Sequence, residues 1–182
     1  FMSKNITVEK CDFRKAQYLG AGGNGYLFIH QGQDNLIIES YAEDGRHNYD
    51  FTGLETSGNV ILKSKSVRGR LPSDFHMHLS PTNLIDSMTL DGDYIQSIYR
   101  DTATPKHGHS TTQSVFWNTV GTNAKNIIKY NFVIETQQFG WGYIIGTSGK
   151  TNQVKRVSGN GSDPLDFVEG IGTGDNLYPP SL

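Results

Sequence analysis

Asn35-Leu36-Ile37-Ile38, Asn59-Val60-Ile61-Leu62 and Asn83-Leu84-Ile85-Asp86 are three copies of one pattern, an asparagine followed by strand-forming residues, and successive copies start 24 residues apart. A further copy, Asn5-Ile6-Thr7-Val8, stands 30 residues before the first of these. Self-similarity at such a period signals stacked repeats, each too small to bury an apolar face alone. Between the copies lie other short strand candidates: Tyr26-Leu27-Phe28-Ile29, the alternating Phe75, Met77 and Leu79, and 94–99, each bounded by Gly, Asp or Pro. The intervals carry turn residues and no helical period, which disfavours a leucine-rich horseshoe. The expected fold is an all-β, right-handed parallel β-helix with two or three strands in each coil of about 24 residues.

Composition agrees. The 21 glycines among many Asn, Ser and Thr residues supply the positive φ angles that tight turns need. A formal charge of −2 without like-charged runs gives no bulk attraction to nucleic acid. No apolar stretch approaches the length of a membrane span. The lone Cys11 forms no internal disulfide and is expected to be a buried, inert thiol. Trp117 and Trp141 are expected to pack in the core or at a cap. The runs 20–25 and 170–174 are rich in glycine, but neither is followed by the residues of a phosphate loop, and both are taken as turns.

Coils are expected over 1–162, with an insertion at 101–109, DTATPKHGH, that breaks the 24-residue step. The segment 163–182 loses alternation and is expected to cap or leave the stack. Solenoid ends expose strand edges and apolar cross-section, so homo-oligomer contacts or further N-terminal coils are expected to cover the open end.

The chemistry gathers near Asp74-Phe75-His76-Met77-His78-Leu79. Alternation assigns Phe75, Met77 and Leu79 to the core and Asp74, His76 and His78 to the outside. Stepping by one coil sets Arg46 below Arg70, Asp50 below Asp74, Thr52 below His76 and His76 below Arg100. An outward ladder of Arg46, Arg70, Asp74, His76, His78, Tyr94 and Arg100 follows, with His107 and His109 on the inserted loop able to fold over it. Guanidinium groups suit the carboxylate of a uronate glycan, and β-elimination needs a base and an acid. His76 or His78 is the expected base or acid, with Tyr94 or Tyr99 assisting. Hydrolysis would need two carboxyls, for which Asp50 and Asp74 are the adjacent pair. His76-x-His78 and His107-x-His109 are also spaced for a transition metal. Ordinary surface ion pairs fit the same residues.

The segments SKNITVEKCDF, GNGY, DNLIIES, GRHN and SGNVILKSKS, then GRLPSDFHMHLSPTNLID, HSTTQSVFWNTVG, QQFGWGYIIGTSG and DFVEGIGTGDNLYPPSL, resemble bacterial pectin-lyase-fold proteins associated with polysaccharide degradation. The resemblance covers most of the chain. It implies a secreted or cell-surface protein whose partner is a polysaccharide, and it puts Arg46, His47, Asp74, His76 and His78 on the substrate side. Pectate lyases hold calcium with clustered acids, so the fold analogy implies calcium as a cofactor ahead of a transition metal, and polygalacturonases use grouped aspartates; neither full pattern can be placed on this chain. The fold analogy therefore leaves three readings: lyase, hydrolase, or a non-catalytic glycan-binding or structural β-helix of a surface protein or phage tailspike.

Overall fold

The repeating asparagines are buried, and that explains their period. In the computed structural model, which describes residues 2–20, 22–102, 105–123, 131–149 and 152–182, Asn35 Nδ2 donates to Asn59 Oδ1 and Asn59 Nδ2 to Asn83 Oδ1, both at 3.0 Å across 24 residues. Each asparagine oxygen also accepts the backbone N–H of the residue stacked on it. Ser114, Gln138 and Asp166 continue the column by taking the backbone N–H groups of Asn83, Ser114 and Gln138. A turn whose amides lack strand partners is thereby satisfied side chain by side chain. Asn59→Ala orphans the buried Asn35 N–H, and chemical denaturation is expected to show a loss of about 2–3 kcal/mol.

Among the described residues the strands of every sheet pair in parallel. Thr7–Glu9, Leu36–Ile38, Val60–Leu62, Leu84–Asp86, Val115–Trp117, Tyr143–Ile145 and Phe167–Glu169 make the first sheet. Asp12–Arg14, Tyr41–Glu43, Lys65–Val67, Thr89–Asp91, Val120–Asn123 and Ser148–Gly149 make the second. Tyr26–His30, His47–Thr52, Ser73–Met77, Ile95–Ser97, Ile134–Thr136 and Val154–Arg156 make the third. The chain visits the three in turn and returns one strand further along, an arrangement compatible with a parallel β-helix solenoid. Among the described residues no helix is long and apolar enough to cross a membrane.

The core is a set of columns. Ile37, Ile61, Ile85, Phe116 and Ile144 pair in register up the first sheet. In the third, His30, Phe51 and Phe75 stack face to face with centroids 4.6 and 4.5 Å apart. After Arg100 the step lengthens, Leu84 pairing with Val115 and Ile95 with Ile134, because inserted residues intervene. The segment 163–182 first adds the strand Phe167–Glu169 and then turns back along the outside. There Ser181 Oγ and the Leu182 N–H both donate to Asp86 Oδ2 at 2.8 Å.

Several local expectations are corrected. Trp141 is 41% exposed and stacks on Tyr143 instead of entering the core, while Trp117 donates its indole N–H to the Pro179 carbonyl in the returning tail. Cys11 is partly buried against the core. Met77 and Leu79 are not core residues: a bulge between Phe75 and Met77 pairs Met77, not His76, with Thr52, and His78 and Leu79 take positive φ beyond the strand end. One extra residue reverses the alternation that follows it.

His30 gives the core a pH dependence. Its Nε2 is buried without a hydrogen-bond partner, and burial lowers its pKa to about 4, against a smaller opposing hydrogen bond with Asn59. The unfolded chain takes up this proton near 6.5, before the folded protein does. The stabilising contribution is therefore complete above that pH and is lost as pH falls towards 4. The loss should reach on the order of 3 kcal/mol, and His30→Phe, which keeps the stack, should flatten that part of an unfolding-against-pH curve.

Candidate active site

The bulge that upsets the alternation also builds the site. It turns His76 over the outer face of the third sheet, where Asp50 and Asp74 pair directly on adjacent strands. His76 Nδ1 lies 3.1 Å from Asp74 Oδ2 and 3.6 Å from Asp50 Oδ2. Both carboxylates are thus outward on the sheet, as the coil step predicts, yet neither forms an exposed ladder. Asp50 is 0% and Asp74 2% exposed.

Arg100 closes the far side. Its Nη1 donates to the His76 carbonyl at 2.8 Å, and its Nη2 bonds Asp74 Oδ2 at 2.7 Å and Gln96 Oε1 at 2.6 Å. Backbone bonds in both directions between Arg100 and Gly108 return the inserted loop upon the sheet. His107 then sits over His76, with ring centroids 4.8 Å apart. Burial, and secondarily the His76 and Arg100 charges, lower its pKa.

Tyr26 and Arg46 form the opposite wall. The backbone enters Tyr26 through Gly25, whose positive φ and lack of a Cβ avoid the Tyr18 carbonyl oxygen. Arg46 Nη1 donates to the Tyr26 hydroxyl at 2.7 Å, and that hydroxyl lies 3.3 Å from His76 Nε2. Tyr26 is raised by burial, an effect that Arg46 partly offsets. His47, paired with Tyr26 in register, points Nδ1 at the Pro72 carbonyl at 2.6 Å and at Asp74 Oδ1 at 3.2 Å. A carbonyl only accepts, so His47 Nδ1 carries the proton.

These contacts assign the remaining protons. Burial pushes Asp74 upward, but the His47 and Arg100 charges and hydrogen bonds from His47 and His76 outweigh it and hold Asp74 well below the usual carboxylate range. Burial, then the Asp74 charge, push Asp50 well above that range. The two shifts run in opposite directions, Asp50 towards the neutral acid and Asp74 towards the carboxylate, as expected of adjacent buried carboxyls of which one bonds the guanidinium. Ionised Asp74 accepts a hydrogen bond from His76 Nδ1. Arg100 Nη1 is 3.4 Å from that nitrogen, longer than its 2.8 Å bond to the carbonyl, so it does not compete for the position. His76 Nε2 is left as an acceptor facing Tyr26 and the cleft.

Two adjoining clefts share Arg46, His76 and His107. One, of about 300 Å³, is lined also by His47, Asp74, Tyr94, Gln96 and Arg100. The other, of about 520 Å³, includes Tyr26, Thr52, Met77, His78 and Pro105. Of the residues nominated from sequence, Arg46, His47, Asp74, His76, Arg100 and His107 converge. His78 is exposed at the rim of the larger cleft. Tyr94 is only 2% exposed and packs edge-on against Phe132. Tyr99 and His109 form a separate aromatic contact that continues to Phe139. Arg70 departs altogether, bonding the Leu19 carbonyl beside Asp44 and Arg68. Tyr26 was missed because its coil is shorter: it pairs with His47, outside any 24-residue step.

The metal readings fit poorly. His47, Asp74 and His76 bring ligand atoms within 4.8 Å of one another, but the guanidinium of Arg100 already serves as the cation there. Of the two His-x-His pairs, the His76 and His107 rings meet, His78 bonds the His107 carbonyl through its backbone N–H, and His109 packs away on Tyr99 and Phe139. Calcium needs six to eight oxygens. Asp74 is the only carboxylate lining the described clefts and is bonded to Arg100.

No protein-family model, no curated protein and no solved structure matches the chain.

Proposed function

We propose that this chain is a right-handed β-helix of the pectin-lyase type, secreted or at a cell surface, that cleaves an acidic polysaccharide by β-elimination. The observation that carries the reading is the run Asp74, His76, Tyr26, Arg46, each bonded or in hydrogen-bond reach of the next. Arg46 makes one side-chain hydrogen bond and no ion pair among the described residues, so its charge is available to a uronate carboxylate. Arg100 spends its charge on Asp74 and positions His76.

In the proposed step His76 Nε2 takes the C5 proton, and the C5–H electron pair forms the C4=C5 double bond as the C4–O bond breaks. The Tyr26 hydroxyl protonates the departing glycosidic oxygen. His76 then returns its proton to the Tyr26 oxygen, so both groups are restored. Arg46 stabilises the charge that develops on the uronate carboxylate and on the tyrosine oxygen.

Hydrolysis is less well supported. Asp50 and Asp74 both crowd behind one imidazole nitrogen, leaving no place for a sugar and a water between them. A panel of acidic and neutral polysaccharides tests the proposal through ultraviolet absorbance of the unsaturated uronate and through new reducing ends. Absorbance with reducing ends is expected, and a chelator should leave the rate unchanged. Reducing ends without absorbance would indicate a hydrolase; binding without either product would leave a glycan-binding β-helix.

A further inference from the structure

The two clefts around His76 differ in charge. The smaller is lined by Arg46, Asp74 and Arg100. In the larger, no Lys, Arg, Asp or Glu besides the shared Arg46 lines the wall among the described residues; Ile29, Gln31, Thr52, Met77, His78 and Pro105 face it instead. Ile29 is 48% exposed there. A sugar bound on each side of His76 therefore meets one free cation between the two sites, not one for each.

We propose that the preferred substrate carries a carboxylate on only one of the two sugars flanking the cleaved bond, as in a polymer in which uronate alternates with a neutral or N-acetylated sugar. This rests on the uronate reading of the same site. A homopolyuronate would place a second carboxylate against Ile29, Met77 and Pro105, where losing hydration is repaid by no cation. An uncharged sugar there avoids that penalty, and its apolar face or an acetyl methyl packs on Ile29 and Met77.

The test is calorimetric binding to the full chain carrying His76→Ala, so that no ligand is consumed, alongside product formation by the unaltered protein. Oligosaccharides of equal length come from an alternating uronate and N-acetylhexosamine polymer, from a homopolygalacturonate and from a neutral glucan. The alternating ligand is expected to bind at least about tenfold tighter than the homopolyuronate, one unpaired carboxylate being sufficient for that ratio. Adding Ile29→Arg, at an exposed position, should strengthen homopolyuronate binding several-fold and narrow the gap. Equal or tighter binding of the homopolyuronate, with no gain from Ile29→Arg, overturns this inference; unsaturated product would still uphold the lyase reading. If the neutral glucan binds as well as both, or if folded protein binds none, the inference and the uronate reading fail together.

Discussion

His76→Ala is expected to lower turnover of the uronate polymer at least about a hundredfold, the range of a lost general acid or base, while thermal unfolding stays close to that of the unaltered protein. The imidazole is the only group in the described site that touches Asp74 on one nitrogen and Tyr26 on the other, and neither His47 nor His107 makes that pair of contacts. Its removal leaves Asp74 still bonded to Arg100 and still close to His47, which is why folding should hold. Tyr26→Phe should produce a comparable loss. The double variant should be little worse than either alone, because the two groups hand one proton between them and act as a unit. Steady-state kinetics on the four proteins decides the matter. Additive losses would mean independent roles and would break the proposed relay.

The largest effect on stability should come from Asp74→Ala, at about 3–5 kcal/mol in chemical denaturation, because it removes the carboxylate bonded to the largely buried Arg100 guanidinium. Arg100 would keep only the neutral His76 carbonyl and Gln96 as partners. Asp50→Asn offers the contrast. Burial and the Asp74 charge already favour the neutral form of Asp50, so an amide that retains the Thr52 hydroxyl bond to Oδ1 should cost within about 1 kcal/mol. Comparable losses in Asp50→Asn and Asp74→Ala would show that both carboxyls ionise and that the division of roles between them is wrong.

The solenoid was legible because its cause is periodic in the chain. A buried asparagine must meet a polar partner one coil away, and Asn35, Asn59 and Asn83 recur at the spacing that brings their amides together. The pairing of Asp50 with Asp74 and the reach of Arg100 to His76 follow from the same step. What the period could not carry was each departure from it. The bulge at His76 exchanges inside for outside, moving Met77 and Leu79 off the core and His78 out of the strand. The short coil that seats Tyr26 on His47 hides the proposed acid, and the return of the inserted loop selects His107 over His109.

Protonation was decided only by tertiary structure. Sequence shows Asp50 and Asp74 as equal carboxyls on one face, and nothing local separates them. Burial raises both; Arg100, His47 and His76 reach only Asp74 closely enough to reverse it. The chain by itself determined the stacked coils and the strand that bears His76. Which carboxylate holds the charge, which nitrogen faces the cleft and which tyrosine lies beside it depended on the three-dimensional approach of groups from different coils, since electrostatic and hydrogen-bond energies are set by distance and burial, not by order along the chain.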